Sequence, residues 1–457
     1  MQTKEFVTPE EIKLTDELVA TFIDKIARRL VLNYFNNITE GEVTVLEKNE
    51  RTVFGNATSN FPFKATLKVQ SPKMFLDIAA KGLNGAGEAY IKGRWVCDNL
   101  TALVQIFTHN REAANNMEGG LASLCIWAFK LAHILKKNNR QGSLKNIHAH
   151  YDLGNDFFST FLDDTKMYSC GIFEKPESSL HEASVAKIDR ICKKMNLSSQ
   201  DHVLEIGTGW GGFALHAAKN YGCRITTTTI SDEQFSYAIN LMKVNGLDSQ
   251  VIVLKQDYRD LVGQFDKLVS IEMIEAVGYQ YYKTFFKKCG QLLKKNGQMM
   301  IQAIVIVDNL FEESKNFVDF IKQYIFPGSC IPSITALCSA AASSSDMRLF
   351  HLEDITPHYA KTLKKWRERF VQNKTEVKNL GFTEAFMLSK KEIDYETAVE
   401  KICTLHRQYA KRQRTWFDKN PLIHWFDLND FKEDVLVENL SSLILEYIDK
   451  KNYKELF

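Results

Sequence analysis

One short segment crowds aromatic and acidic residues together and ends in a lone cysteine. The segment, "HYDLGNDFFSTFLDDTKMYSC", spans residues 150–170, and no single secondary-structure period fits it. Its aromatic residues include Tyr151, Phe157, Phe158 and Tyr168, and its last residue is Cys170. Such crowding indicates that these side chains close over a bound group.

A glycine-rich turn, "EIGTGWGG", follows at residues 205–212. Glu205 lies at the end of a predicted strand, and Gly207, Gly209 and Gly211 allow the backbone to approach a ligand closely. The spacing is not GxGxxG, and no phosphate-binding GxxxxGK[ST] motif occurs anywhere in the chain. S-adenosylmethionine has no phosphates and needs close backbone contact at its methionyl end. We therefore predict an S-adenosylmethionine site at this turn.

The neighbouring strands offer further cofactor contacts. Asp257 ends the third predicted strand, where it can accept a hydrogen bond from the adenine or ribose side. The second strand ends in Thr228 and Thr229, where an acidic clamp for the ribose hydroxyls is usual. Gln234 and the backbone of "TISDEQ" are our predicted replacement for that clamp.

The elements that position these residues alternate from about residue 200 onward. Short apolar, β-branched runs such as "HVLEI" and "VIVLKQD" are separated by helical segments such as "DEQFSYAINLMKVN". This alternation is typical of a doubly wound parallel sheet, so the predicted fold class is α/β and Rossmann-like. Ligands bind such sheets beyond the carboxyl ends of the strands, where the glycine turn lies.

Four regions are predicted along the chain. Residues 1–135 form a smaller N-terminal α+β domain, residues 136–146 a linker, residues 147–390 the catalytic domain, and residues 391–457 a helical tail. Within the first, the apolar stretch 121–135 has two interpretations: a helix packed on a core, or a lipid-facing amphipathic helix before a basic segment.

The overall composition is that of an ordinary folded protein. The 457 residues are 45% hydrophobic and 25% charged, and the net charge of +2 provides no general attraction to nucleic acid or membrane. Nine cysteines without a CxxC pair indicate reduced thiols and a cytoplasmic location. No uncharged run is long enough to span a membrane. We predict no metal, because His148, His150 and Asp152 lack evident further ligands.

The motifs together resemble those of cyclopropane-fatty-acyl-phospholipid synthases. "HYDLGNDFF", "YSCGIF", "VLEIGTGWGGFALHAAKNYG", "TISDEQ", "SIEMIEAVG", "IKQYIFPGSCIPS" and "TLKKWRERF" stand in that family's order. The resemblance covers about residues 20–387. It implies transfer of a methyl group from S-adenosylmethionine to the cis double bond of a phospholipid acyl chain, forming a cyclopropane ring. It also implies a lipid-docking N-terminal domain, peripheral attachment at the inner membrane surface, and a possible homodimer.

The resemblance further implies a bound bicarbonate that removes a proton from the added methyl group. By motif, Cys170, Glu275 and the backbone of Ile304 would line this anion site, while Tyr168 and Ser169 would contact the cofactor. Without the motif, Cys170 would more simply be a small buried apolar residue.

Two positions depart from the best-known family members. Gln302 stands where a histidine is familiar, and Arg367 stands where a tyrosine is. An amide donor and a guanidinium fork both suit an anion site. Arg367 is equally interpreted as a surface residue of a helix. A changed anion site also leaves open a methyl or methylene branch as the product.

Residues 396–427 resemble instead the C-terminal part of tRNA dimethylallyltransferases. The basic and aromatic residues of this segment would suit contact with tRNA, the basic ones with phosphates and the aromatic ones with bases: Arg407, Tyr409, Lys411, Arg412, Arg414 and Trp416. That family's phosphate-binding loop is missing, so tRNA prenylation is not expected. The strand-like segment 422–428 is our candidate to replace the synthases' final strand. Two alternative functions remain open here: methylation of a small amine, and an inactive or RNA-binding fusion protein.

Overall fold

The structure is a computed structural model in which residues 22–110 and 154–377 are described. Some of the predicted features lie outside these ranges. They are the apolar stretch 121–135, the linker, Tyr151, the histidine pair at 148 and 150, and the tail beyond residue 377 with its candidate strand.

The N-terminal part is an α+β unit built around a four-stranded sheet. Its elements are α1 (Phe22–Phe35), β1 (Gly41–Glu47), β2 (Glu50–Asn56), β3 (Lys64–Val69), α2 (Lys73–Ile91), β4 (Trp95–Cys97) and α3 (Leu100–His109). The strand order is β2-β1-β3-β4, with β1 parallel to β3 and the other pairs antiparallel. Val31 and Phe35 of α1 and Phe75 of α2 are buried in one core with apolar residues of the sheet.

The second part is a parallel sheet with helices between the strands. Its elements are β5 (His202–Ile206), α6 (Gly212–Tyr221), β6 (Arg224–Thr229), α7 (Asp232–Val244), β7 (Val251–Lys255), β8 (Phe265–Ile271), α8 (Tyr282–Leu292) and β9 (Leu293–Gln302), with α4 (Asn155–Ser159) and α5 (Leu180–Lys194) before them. The order is β7-β6-β5-β8-β9, and every pair is parallel. The prediction of a doubly wound α/β sheet is confirmed.

Four helices follow the last described strand: α9 (Asp308–Asn316), α10 (Ile334–Ser344), α11 (Thr356–Gln372) and α12 (Lys374–Val377), with a π-helical turn at Ile321–Ile325. Ser179 and Glu182 form a capping box at the start of α5, which fixes where that helix begins.

The N-terminal unit packs on the catalytic part through α2. Asn84 Nδ2 donates hydrogen bonds to the carbonyl of Val318 at 2.8 Å and to Gln323 Oε1 at 2.9 Å. The hydroxyl of Tyr324 donates to Glu88 Oε1 at 2.6 Å. These polar contacts join α2 to Val318 and to the π-helical turn itself.

Candidate active site

The glycine turn between β5 and α6 presents bare backbone to an open space. Gly207, Gly209 and Gly211 have φ of +100°, +52° and +88°, a region that favours glycine. The amides of Gly207 and Thr208 both donate to the carbonyl of Thr228 at 3.0 Å, which ties the turn to β6. A side-chain carbon added at Gly209 would meet nothing within 4 Å. The turn therefore leaves room for a ligand beside its backbone.

Glu205 is buried just before this turn. Its Oε2 accepts a hydrogen bond from Thr227 Oγ1 at 2.6 Å, and burial raises the pKa of its carboxyl group to about 8. A cation bound nearby would favour the ionised form of this group.

The other predicted cofactor residues also lie at the carboxyl ends of the strands. Thr229 Oγ1 donates to Gln234 Oε1 at 2.9 Å, so the proposed substitutes for the ribose clamp are in contact. Asp257 caps the turn after β7, where it accepts from the Arg259 amide at 2.9 Å and pairs with the guanidinium at 2.6 Å. Its ion pair with Arg259 is a feature that the spacing alone did not indicate.

The aromatic residues of the opening segment form one cluster with the glycine turn and α11. The ring of Phe158 lies 5.0 Å from that of Trp210, which belongs to the glycine turn. The ring of Tyr168 lies 5.2 Å from that of Trp366 on α11. Phe157 and Phe161 pack against the same cluster. The segment thus places a wall of rings beside the predicted cofactor site.

Two carboxyl groups lie close together just beyond the end of β8. Glu272 Oε1 accepts hydrogen bonds from the Cys170 amide and from Gln302 Nε2, both at 2.8 Å. Glu275 Oε1 accepts from the Ile304 amide at 2.5 Å, while its buried Oε2 has no partner in the described part of the chain. Burial raises the pKa of both carboxyl groups, and the charge of Glu272 helps to raise that of Glu275 to about 8.

A buried lysine lies among these acidic groups. Lys187, on α5, has no exposed surface, and its Nζ donates to Ser169 Oγ at 2.7 Å. Burial lowers the pKa of its amine to about 8, against the attraction of nearby groups that include Glu272 and Glu205. Burial also raises the pKa of the Tyr359 hydroxyl, and the charges of Glu272 and other groups around Cys170 raise it further.

The structure therefore brings most of the predicted site together. Cys170 and Gln302 contact each other and Glu272, and Ile304 contacts Glu275. Ser169, beside Cys170, is bonded to Lys187. Arg367 is not part of this group: it is exposed, and its Nη1 donates to Thr101 Oγ1 at 3.3 Å. The anion-site interpretation of Arg367 is wrong because successive helical residues are about 100° apart, and its neighbour Trp366 takes the buried direction.

Three residues of the site were not predicted from the sequence. Glu272 precedes Glu275 in the "EMIE" motif. Lys187 follows Leu180, Ala183 and Ser184 at helical spacing on the buried face of α5, which was a readable signal. Tyr359 lies near the start of α11, where Pro357 marks the beginning of the helix but nothing marks the tyrosine.

Comparison with known proteins now adds to this geometry. A family model described as mycolic acid cyclopropane synthetase matches residues 138–391, which include every residue of the candidate site. The chain belongs to the mycolic acid cyclopropane synthetase family. It is thus an S-adenosylmethionine-dependent methyltransferase.

Individual relatives agree with this assignment. The tuberculostearic acid methyltransferase of Mycobacterium tuberculosis is 35% identical over 320 residues, which cover 68% of this chain and 73% of that protein. The cyclopropane-fatty-acyl-phospholipid synthase of Escherichia coli is 34% identical over 313 residues, covering 67% and 77% respectively. A crystal structure of a mycolic acid cyclopropane synthase complexed with SAH and CTAB is 31% identical, with a TM-score of 0.50, and the match covers 54% of this chain and 90% of that one. The tRNA dimethylallyltransferase resemblance of the tail stays a prediction.

Proposed function

We propose that this chain transfers the methyl group of S-adenosylmethionine to the cis double bond of an unsaturated phospholipid acyl chain and closes a cyclopropane ring. The observation that carries the proposal is the joint placement of the glycine turn, the aromatic cluster and a buried carboxylate pair. Relatives named for cyclopropane formation on lipids support the same reaction. Methyl transfer to an alkene needs these three features together, because it creates a positive charge and then loses a proton.

The residues at the glycine turn fit S-adenosylmethionine. The open space at Gly209, the exposed backbone of the turn and the carboxyl group of Glu205 suit its cationic methionyl end. We assign Thr229 and Gln234, which are hydrogen-bonded to each other, to the ribose side. When bound, the cofactor supplies an electrophilic methyl group.

The protein's own residues then control the fate of the methylated acyl chain. The rings of Phe158, Tyr168, Trp210 and Trp366 pack together at the glycine turn. Aromatic rings there would exclude water and stabilise the positive charge that develops on the acyl chain. A carboxylate can accept the proton that the added methyl group loses.

The bicarbonate that the family resemblance implies does not fit these residues. The amides of Cys170 and Ile304 and the side chain of Gln302 already donate to Glu272 and Glu275. An added anion would find these donors occupied and two carboxyl groups beside it. No step is therefore assigned to bicarbonate.

We further propose that the chain acts at a membrane surface. Exposed apolar side chains lie on α2 and on the π-helical turn that packs beside it: Leu83, Tyr90, Ile91, Ile321, Tyr324 and Ile325. Within residues 22–110 and 154–377, no helix has the length and apolar character to cross a membrane. Exposed apolar side chains of this kind support docking on lipid from one side.

A methyl or methylene branch is the second candidate product. The relative named as a tuberculostearic acid methyltransferase is 35% identical to this chain, and Gln302 departs from the familiar histidine. A methylene branch has the same atoms as the ring and differs in which carbon–hydrogen bond is broken after a hydride shift, so the same site serves both. A saturated methyl branch also requires a separate hydride donor.

The test is the distribution of a labelled methyl group among acceptors. The full chain is incubated with methyl-labelled S-adenosylmethionine and, in separate reactions, vesicles of cis-unsaturated phospholipid, vesicles of saturated phospholipid, a small amine, and tRNA. We expect label only in the unsaturated acyl chains. Label in the amine, or in no acceptor although the cofactor binds, would contradict the proposal.

A further inference from the structure

The donors expected to hold an external anion are bonded to carboxylates of the chain itself. Glu272 Oε1 occupies the point where the Cys170 amide and Gln302 Nε2 converge, at 2.8 Å from each. The Ile304 amide is bonded to Glu275. A built-in carboxylate therefore stands where the family resemblance predicts a bicarbonate.

The backbone at Glu272 points to a role for its side chain. Its φ is +46°, a left-handed conformation that is unfavourable for residues other than glycine. Non-glycine residues in this region cluster at functional sites, where the surrounding structure holds them in place. Here the hydrogen bonds from Cys170 and Gln302 hold the side chain.

The two carboxyl groups are not equivalent. Glu272 accepts two hydrogen bonds and is attracted by the buried amine of Lys187, and all three interactions favour its ionised form against the effect of burial. Glu275 accepts a backbone hydrogen bond from Ile304, and burial and the charge of Glu272 raise its pKa to about 8. The buried amine of Lys187 and the two hydrogen bonds therefore stabilise a negative charge on Glu272, whereas the charge of Glu272 disfavours one on Glu275.

The second oxygen of Glu272 is available for a substrate. In the described ranges its Oε2 makes no hydrogen bond, and it is not among the fully buried atoms that lack one. A carboxylate oxygen that is not fully buried and has no hydrogen bond from these residues is free to accept a proton, as a general base must be.

We propose that the Glu272 carboxylate, rather than an external bicarbonate, removes the proton in this enzyme. After methyl transfer, one C–H bond of the added carbon breaks and its proton forms an O–H bond with Glu272. The electron pair of that C–H bond forms the last carbon–carbon bond of the ring. Glu272 then returns the proton to solvent. This step rests on the proposed function.

The opposing interpretation is that Glu272 only anchors the Cys170 loop. Two variants distinguish the roles. Glu272→Gln keeps an oxygen acceptor for the Cys170 amide but cannot take up a proton. Glu272→Gly suits the left-handed backbone and frees the Cys170 amide and Gln302 Nε2 for an added anion.

The experiment measures acyl-chain methylation by the full chain in carbon-dioxide-free buffer, with and without added bicarbonate or formate. We expect the wild type to work equally, within about twofold, in all buffers, and Glu272→Gln to lose about 100-fold or more without rescue. Glu272→Gly should be equally impaired alone and recover about tenfold or more with added bicarbonate or formate. Calorimetric titration with S-adenosylmethionine should give similar affinities for all three proteins.

Two results would overturn the inference. One is a wild-type rate that collapses in carbon-dioxide-free buffer and returns with bicarbonate. The other is a Glu272→Gln enzyme that keeps nearly full activity. A wild type that binds the cofactor but methylates no acyl chain in any buffer rejects the proposed function itself, and this inference with it.

Discussion

Replacing the buried lysine should make the protein more stable and less active. Lys187 has no exposed surface, and burial lowers the pKa of its amine from 10.5 to about 8. That difference corresponds to about 3 kcal/mol of unfavourable free energy for the charged amine at neutral pH. Lys187→Met resembles the neutral form in length and loses the hydrogen bond to Ser169, which is worth about 1 kcal/mol. The net expected gain is therefore about 2 kcal/mol.

The dependence on pH provides an internal check on this reasoning. The folded amine loses its proton near pH 8 and the unfolded amine near 10.5, so the unfolded state binds more protons between these values. The wild-type free energy of unfolding should therefore rise with pH in this window. The advantage of Lys187→Met should shrink correspondingly, because the variant has no amine to titrate.

Urea unfolding of both proteins at pH 7 and at pH 10 measures this difference. The Lys187→Arg variant is the matched control, since it retains a charge that cannot be neutralised and should be less stable than the wild type. Activity of Lys187→Met should fall because Glu272 loses the attraction that favours its ionised form. A methionine variant that is less stable than the wild type at pH 7 would refute the account of this lysine.

Three further substitutions test separate parts of the site. Gly209→Ala should weaken cofactor binding by about tenfold, because its φ of +52° disfavours alanine by about 1 kcal/mol and the added methyl group enters the ligand space. Calorimetric titration with S-adenosylmethionine measures the affinity, and an unchanged affinity would contradict this prediction. Ile321→Asp should reduce the fraction of protein that sediments with anionic phospholipid vesicles. The control Val262→Asp, at a loop position that is 83% exposed, should not reduce it. Equal effects of the two substitutions would exclude the proposed docking surface. Arg367→Ala should leave turnover within about twofold of the wild type, because a surface substitution changes little; a large loss would restore its predicted catalytic role.

The parallel sheet was predictable because its sequence signals are local. Each strand is a short β-branched run, and each is separated from the next by a helix of ordinary length. The glycine turn was predictable for the same reason, since positive φ at Gly207, Gly209 and Gly211 requires residues that the sequence shows directly. Cys170 and Glu275 were located by motif.

The chemistry of the carboxylate pair was not predictable in the same way. Glu272 meets Cys170 across 102 positions of sequence, and Gln302 reaches both from the end of β9. Lys187 acquires its role only when α5 packs against the sheet. Arg367 shows the opposite error: its residue type suited an anion site, but a shift of one position along α11 points it toward solvent.

The most direct test of the central claim is the structure of the lipid product. Vesicles of cis-unsaturated phospholipid are incubated with the full chain and S-adenosylmethionine carrying a carbon-13 methyl group, and the recovered acyl chains are examined by nuclear magnetic resonance. The account predicts the label in the methylene carbon of a cyclopropane ring at the position of the former double bond. Label found only in a headgroup, or no label in the lipid from a protein that binds the cofactor, would contradict it.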